Sequence, residues 1–260
     1  MSPETQPLTD EQVRDLLALA READSVELKL TVPEEEGFAT QKALEIDPLD
    51  AHIRQVYFFD TPDLDLDQMG VVVRARRIQD NDDDSVVKLR PVVPHELSSE
   101  VREAEGFVVE VDAMPGGYVC SGSMKESLGK THVKEAVAGE RPLRKLFSKQ
   151  QRSFFAEHAP EGVEIDDLSI LGPVNVAKLK CSPQGYQRKL AVELWNYPDG
   201  SRILELSTRC PPREAFQVAA ETRAFLSERG VDLQGEQQTK TRTALEFFAG
   251  ALERGAPAGA

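Results

Sequence analysis

Residues 58–77 have the sequence FFDTPDLDLDQMGVVVRARR. Apolar residues at both ends flank a connection rich in Asp, Pro and Gly, which is the pattern of two β-strands joined by a short turn. In the second strand Arg74 and Arg76 are two positions apart, and residues at that spacing share one face of a strand. The stretch therefore predicts a strand that presents two arginines on a single face.

Other segments of the chain repeat this arrangement of charges. The pairs at this spacing are Glu27 with Lys29, Lys88 with Arg90, Glu110 with Asp112, and Lys178 with Lys180. Glu205 and Arg209 are four positions apart and share a face through Ser207. One interpretation is that they form the solvated outer face of an ordinary sandwich. Same-sign neighbours repel, however, unless an opposite charge lies between them. Basic doublets therefore indicate a bound polyphosphate, and acidic doublets indicate a hard divalent cation such as Mg²⁺ or Mn²⁺.

Apolar residues with a period of two dominate the chain and predict eight or nine strands. Short turns between them predict that strands adjacent in sequence pair antiparallel; examples are Gly172-Pro173, Pro198-Asp199-Gly200 and residues 80–84. The predicted strands cover residues 25–31, 52–60, 71–78, 85–92, 106–112, 164–171, 174–181, 186–195 and 201–209.

Helical patterns are confined to three segments, which we expect to brace the sheet from outside. Thr9 and Gln12 have the spacing of a capping box before a helix over 9–22, and further helices are predicted over 141–155 and 213–228. Residues 113–140, rich in Gly and small polar residues, are predicted to be a flexible insertion. The expected organisation is an N-terminal extension with a short helix (1–24), one domain (25–250) and a disordered tail (251–260).

The composition excludes several functional classes. A hydrophobic content of 40% and a charged content of 29% are typical of a soluble globular protein, and no apolar run is long enough to span a membrane. A net charge of −14 disfavours a nucleic-acid duplex as partner, yet it allows a small anion in a local basic pocket. Three cysteines without paired spacing, four dispersed histidines and an N-terminus without an export signal predict a cytoplasmic protein without zinc.

Taken together, these residues resemble the CYTH superfamily, also called triphosphate tunnel metalloenzymes. The resemblance covers roughly residues 25 to 247, and its most specific part is FDTPDLDL, residues 59–66, followed by Gly70 and by Val73-Arg74-Ala75-Arg76. Three further matches agree with it: Val26-Glu27-Leu28-Lys29, Lys88-Leu89-Arg90-Pro91, and Glu193 with Glu205 around Asp199-Gly200.

The resemblance implies an α+β fold, a closed eight-stranded antiparallel β-tunnel with helices packed outside. It also implies a small molecule bearing a triphosphate, bound together with Mg²⁺ or Mn²⁺. Lys29 is then the catalytic residue, and the metal ligands are Glu27, Glu110, Asp112, Glu193 and Glu205. The residues expected to bind the substrate are Arg74, Arg76, Lys88, Arg90, Lys178, Lys180, Arg209, Lys240 and Arg242. For Lys240 and Arg242, which we expect at the tunnel mouth, a capped helix start with solvated charges is the alternative.

The chain departs from the family pattern at the ExExK motif of the first strand. If Lys29 is the motif lysine and Glu27 the second glutamate, Ser25 stands where the first glutamate belongs. A serine offers a hydroxyl but no charge, so one metal carboxylate is lost. Family members hydrolyse inorganic triphosphate, thiamine triphosphate or RNA 5′ ends, and some cyclise ATP. Our first hypothesis is a metal-dependent triphosphatase; an adenylate cyclase and a triphosphate- or nucleotide-binding module without catalysis stay open.

Overall fold

The structure is a computed structural model that describes residues 9–233 and 240–254. Its α-helices are α1 (Asp10–Glu22), α2 (Gly37–Ala43), α3 (Asp65–Gln68), α4 (Ser99–Arg102), α5 (His132–Val137), α6 (Lys149–His158), α7 (Ala215–Glu228) and α8 (Lys240–Glu253). Its strands are β1 (Ser25–Val32), β2 (His52–Asp60), β3 (Val71–Ile78), β4 (Asp83–Leu89), β5 (Phe107–Met114), β6 (Gly117–Leu128), β7 (Ser169–Cys181), β8 (Leu190–Asn196) and β9 (Arg202–Cys210). No helix within the described ranges is long and apolar enough to cross a membrane.

The strands close into one barrel in the order β1-β5-β6-β4-β3-β2-β7-β8-β9, and β9 pairs back onto β1. The predicted α+β class with a closed barrel is confirmed, but the eight-stranded antiparallel detail is wrong. The described barrel has nine strands, and β1 runs parallel to β5, with Ser25 opposite Glu110 and Glu27 opposite Asp112. At least one parallel pair is required because an odd number of strands in a closed ring cannot alternate in direction all the way round.

Two predicted strands, 164–171 and 174–181, correspond largely to the single strand β7, so Gly172-Pro173 is not a hairpin turn. Val56 of β2 pairs with Val174, whereas Phe58 pairs with Leu171, so β7 carries one extra residue at this point. An extra residue forms a β-bulge, and proline is tolerated there because its missing N–H leaves no gap in the ladder. The hairpins predicted at residues 80–84 and at Pro198-Asp199-Gly200 connect β3 with β4 and β8 with β9.

The prediction that residues 113–140 are a flexible insertion is also wrong, since they contribute the barrel strand β6 and the helix α5. Small residues hide the strand pattern because close packing requires them. A Cβ atom on Gly122 would lie 2.8 Å from the ring of Phe107, which crosses over that position. The tail predicted from residue 251 begins inside α8, and residues 255–260 lie outside the described residues.

Helices cover the outer face of the barrel, as the helical segments predicted. The capping box of α1 forms between Thr9 and Gln12, while the segment 141–155 divides into a 3-10 turn (Leu143–Leu146) and α6. Gln151 of α6 is fully buried, and its side-chain amide donates to the carbonyls of Ser85 on β4 and Met124 on β6. This polar contact fixes α6 on the barrel wall.

The last helix, α8, covers one end of the barrel and not its outer face. Val56 and Val72 point into the interior, and they belong to the same apolar cluster as three buried residues of α8: Ala244, Leu245 and Phe248. The first residues of α8, Lys240 and Thr241, reach the cavity itself.

The connection between β2 and β3 is organised around the carboxylate of Asp60. This side chain is 1% exposed and accepts hydrogen bonds from the backbone N–H groups of Thr61, Leu66 and Asp67, at 2.7, 2.9 and 3.0 Å. It thereby supplies an acceptor to the first turn of α3, whose N–H groups have no partner within the helix. The FDTPDLDL sequence is thus a structural turn that sets where β3 begins.

Gly70 completes this connection. Its φ is +74°, and a Cβ atom there would lie 2.2 Å from the carbonyl oxygen of Arg90. The backbone of Arg90 donates to the carbonyl of Gly70 at 2.9 Å, which ties the turn to the end of β4. Only glycine fits both the conformation and the close approach.

We expect Asp60→Ala to lower the free energy of unfolding by about 2 to 4 kcal/mol, because three backbone donors around a buried site lose their acceptor. Asp63→Ala in the same loop is the matched control, since its side chain is exposed, and it should change stability by less than ~0.5 kcal/mol. Urea unfolding followed by circular dichroism measures both. Equal losses in the two variants would contradict the structural role of Asp60.

Candidate functional site

A cavity of about 760 Å³ lies inside the barrel. Its lining carries twelve lysine and arginine residues but five glutamate and aspartate residues, so its interior is positive although the chain as a whole is strongly acidic. The charged doublets face inward, and the alternative of a sandwich with these charges outside is wrong. The predicted site residues that line the cavity are Glu27, Lys29, Arg74, Arg76, Lys88, Arg90, Glu110, Asp112, Lys178, Lys180, Glu193, Glu205, Arg209 and Lys240.

Three carboxylates meet where β1 lies beside β5. One oxygen from each of Glu27, Glu110 and Asp112 lies within 4.8 Å of the others. The parallel register places Glu27 directly opposite Asp112 and Ser25 opposite Glu110. Carboxylate oxygens are the ligands that a hard divalent cation such as Mg²⁺ or Mn²⁺ prefers. The residues present therefore fit a bound divalent metal.

Lysines flank the deepest of these carboxylates. Asp112, with 4% of its side chain exposed, forms ion pairs with Lys29 at 2.8 Å and Lys88 at 3.4 Å. Burial opposes ionisation of Asp112, but the two lysines outweigh it and lower its pKa to about 2. Burial likewise disfavours the charged form of Lys29, yet Asp112 and Glu27 outweigh that effect and raise its pKa. Asp112 therefore stays ionised at neutral pH.

Glu110 has a different environment from its two neighbours. Burial raises its pKa, and repulsion from Glu27 and Asp112 adds to the rise. Arg209 contacts Glu110 at 2.5 Å and is itself 59% exposed at the rim of the cavity. The hydroxyl of Ser25 donates to Glu110 at 3.1 Å, and that of Ser207 donates to Glu27 at the same distance. Two serine hydroxyls thus orient two of the three carboxylates.

The remaining two predicted metal ligands form a separate pair. Glu193 and Glu205 lie opposite each other in the β8–β9 register, and Lys240 contacts both. Lys178 contacts the other oxygen of Glu193. Burial opposes ionisation of Glu193, but Lys240 and Lys178 outweigh it and hold its pKa well below the usual range. The structure therefore divides the five predicted metal ligands into a cluster of three and a pair neutralised by lysines.

The opposite wall of the cavity holds arginines that the protein leaves uncompensated. Within residues 9–233 and 240–254, Arg54, Arg74 and Arg90 form no ion pair, and Nε of Arg54 and of Arg74 is buried without a hydrogen-bond partner. Burial, together with repulsion from Arg76, lowers the pKa of Arg74 to about 10. Arg76 differs because Asp84 binds its guanidinium through two contacts, at 2.7 and 2.6 Å. An anion in the cavity would supply the missing acceptors.

Several cavity residues escaped the sequence analysis, and one predicted residue lies elsewhere. Arg54, Lys125 and Lys189 line the cavity. Arg54 could have been identified, because it lies two positions before Val56 on the inward face of a recognised strand. Arg242 does not line the cavity; it pairs with Glu246 on the surface of α8 and is 68% exposed. For Arg242 the solvated alternative is the one that the structure shows.

Comparisons with known proteins establish the fold. No protein-family model matches the chain, and no curated protein matches it either. A candidate adenylate cyclase from Bacillus halodurans superposes with a TM-score of 0.60 at 14% identity, covering 85% of this chain and 97% of its own. A candidate adenylyl cyclase from Hippeastrum, described as having a dominant triphosphatase activity, superposes with a TM-score of 0.61 at 18% identity, covering 90% and 98%. At these identities the comparisons show that this chain shares the fold of the two structures.

Asp112→Asn keeps the shape of the side chain but removes the charge between two lysines. Because the pKa of Asp112 falls from its ordinary value of 3.8 to about 2, the carboxylate stabilises the fold above pH 4, and this stability is lost as the pH falls through about 2. We expect a difference in unfolding free energy on the order of 2 kcal/mol at pH 7 that narrows toward pH 2.

Urea unfolding at a series of pH values between 7 and 2 measures this difference. Glu246→Gln, which removes an exposed carboxylate paired with Arg242, is the control and should leave the pH dependence unchanged. The two proteins could instead differ in unfolding free energy by the same amount at every pH between 7 and 2. That result would show that the ion pairs of Asp112 do not stabilise the fold.

Proposed function

We propose that the protein hydrolyses inorganic triphosphate, or a small organic triphosphate, inside the barrel with the help of Mg²⁺ or Mn²⁺. The observation that carries this proposal is the pairing of a carboxylate cluster with a wall of uncompensated arginines in one cavity. A short polyphosphate complexed with a divalent cation satisfies both, because its oxygens can accept from the arginines and share the cation with the carboxylates.

The carboxylates would hold the cation. Glu27, Glu110 and Asp112 supply three oxygen ligands, and a cation bound there would neutralise charge on the phosphate oxygens during transfer. Lys29 and Lys88 stand beside this cluster through their contacts with Asp112, where they can stabilise charge on the transferred group. Lys29 is the residue to which we assign the catalytic contact.

The arginines would bind and orient the phosphate chain. Phosphoryl transfer depends mainly on positioning and electrostatic stabilisation, since charge spreads over the equatorial oxygens in the transition state. Arg74 lies on β3 and Arg90 directly follows the adjacent strand β4. Neither has a carboxylate partner among the described residues, so their donors are available without breaking an existing ion pair. The attacking group for hydrolysis is water, which the open rim around Arg209 admits.

The serine at the first position of the ExExK-like motif removes one carboxylate, but three carboxylates still lie close together beside it. Ser25 lies opposite Glu110 in the parallel β1–β5 pair, and the two side chains are joined by a hydrogen bond of 3.1 Å. Glu110 thus brings a carboxylate to the neighbourhood of the motif position from the adjacent strand. Three carboxylates near one another are enough to hold a divalent cation, which favours catalysis over a module that only binds.

The two named neighbours give limited support for the substrate class. Both are described as candidate adenylate cyclases, and one of them as having a dominant triphosphatase activity. At 14% and 18% identity they share a fold with this chain, so their activities are a reason for testing triphosphates first. Hydrolysis is our first choice because carboxylates that suit a divalent cation and arginines that suit a phosphate chain lie on facing walls of one cavity.

We expect phosphate release from inorganic tripolyphosphate in the presence of Mn²⁺, measured by malachite green. Lys29→Ala should abolish it, whereas Arg242→Ala, a basic residue outside the cavity, should leave it unchanged. With ATP as substrate, the products separate the alternatives: ADP and phosphate support hydrolysis, and cyclic AMP supports cyclisation. Tight tripolyphosphate binding without any phosphate release would overturn the hydrolase and support a binding module.

Arg74→Met tests whether the arginines without ion pairs bind an anion. We expect it to raise the stability of the free protein and to weaken anion binding. Without an anion the variant should melt at a higher temperature, by about 2 °C or more, because an uncompensated buried cation is replaced by an apolar side chain. Its affinity for tripolyphosphate should fall about 10- to 100-fold, since charged hydrogen bonds are lost. Thermal unfolding and calorimetric titration measure these effects. A lower melting temperature together with unchanged affinity would contradict an anion-binding role for Arg74.

A further inference from the structure

Lys240, the first residue of α8, occupies a cation site made by two strands of the barrel. Its ammonium lies 2.6 Å from Oε2 of Glu193 and 2.6 Å from Oε1 of Glu205. It also lies 4.9 Å from the centre of the Trp195 ring, a distance typical of a cation–π contact. The three charged side chains are between 8% and 15% exposed, so this is a buried site rather than a surface ion pair.

The barrel alone would leave this site with unbalanced negative charge. Glu193 and Glu205 are direct cross-strand partners, and like charges in that position repel. Lys178 neutralises one oxygen of Glu193 from the neighbouring strand, but within the described residues only Lys240 bridges both carboxylates. A positive charge between them is therefore a requirement of the fold, and α8 supplies it.

We propose that Lys240 is a built-in counter-ion that a divalent cation displaces from Glu193 and Glu205, and that its displacement frees the first turn of α8. The inference rests on the proposed function in treating the cavity as a place where divalent cations bind. Two buried carboxylates around one position are oxygen ligands of the kind that Mg²⁺ and Mn²⁺ prefer. The ammonium holds that position through the same oxygens, so it and the metal exclude each other.

The packing of α8 confines the effect of displacing Lys240 to the first turn of the helix. At its N-terminal end the helix is held by the two ion pairs of Lys240 and by the hydroxyl of Tyr197, which donates to the Lys240 carbonyl at 3.0 Å. Further along, Ala244, Leu245 and Phe248 are buried against the barrel end. Loss of the Lys240 contacts would release the polar first turn, while the apolar contacts keep the remainder of the helix in place. Metal loading would in this way widen access to the cavity at the covered end.

The experiment is a titration of the full-length protein with Mn²⁺ alone, without any phosphate compound, followed by calorimetry and by the electron paramagnetic resonance signal of free Mn²⁺. Lys240→Met should bind Mn²⁺ about tenfold more tightly, or with an additional equivalent, because the metal no longer competes with two ammonium contacts. Arg242→Met, a change of the same kind two residues later on α8, should behave as wild type. The double variant Lys240→Met with Glu205→Gln should lose the gain.

Unchanged Mn²⁺ binding in a folded Lys240→Met protein overturns the proposal, as does a gain that persists when Glu205→Gln is added. Hydrogen exchange of the wild-type protein provides a second test that needs no substitution. Saturating Mn²⁺ should speed amide exchange in the first turn of α8 and leave its apolar half protected, and equal protection throughout with and without Mn²⁺ overturns the release of that turn. Neither measurement uses phosphate release, so failure of the proposed hydrolysis is detected separately.

Discussion

The parallel pairing of β1 with β5 closes the barrel, and the chemistry of its interior follows from that closure. Once the sheet is closed, alternate residues of every strand must face one another across a confined space with little water. The register of this pair places Glu27 opposite Asp112 and Ser25 opposite Glu110, which assembles the carboxylate cluster from two strands. In an open sandwich the same side chains would lie on a solvated face and would have no common ligand.

Confinement affects the acidic and the basic side chains in different ways. Each of the five carboxylates in the cavity forms an ion pair with a lysine or with Arg209, so it is oriented before any ligand arrives. Arg54 and Arg74 instead keep buried donors without partners, which is costly in the free protein. Such a cost is typical of a binding site, where stability of the free form is lost in return for preorganised contacts with a ligand. The cavity is therefore biased toward anions, and the cation site depends on displacing internal positive charges.

The sequence predicted those parts of the structure that depend on local periodicity. The inward doublets on β3, β4, β5 and β7 follow from a period of two, and the helix after Thr9 follows from its capping box. The strand β6 was missed because its small residues give no apolar alternation, and the need for Gly122 comes from its packing against Phe107, which no local pattern reveals. The division of the carboxylates into a cluster and a pair was equally inaccessible, since it depends on the register between strands and on the contact of Lys240 across the barrel end.

The most recognisable motif of the chain supports the fold more strongly than it supports the activity. Asp60 and Gly70 act through backbone contacts, as an acceptor for three N–H groups and as a close neighbour of the Arg90 carbonyl. Between residues 58 and 77, the residues that line the cavity are Val72, Arg74 and Arg76. The motif therefore sets where β3 begins and its register. In this way it determines the position of Arg74 and Arg76 along the barrel axis. Whether those arginines serve hydrolysis depends on the facing carboxylates, where this chain combines Ser25 with Glu110. The carboxylates where β1 pairs with β5, and not the FDTPDLDL motif, therefore determine whether the protein is catalytic.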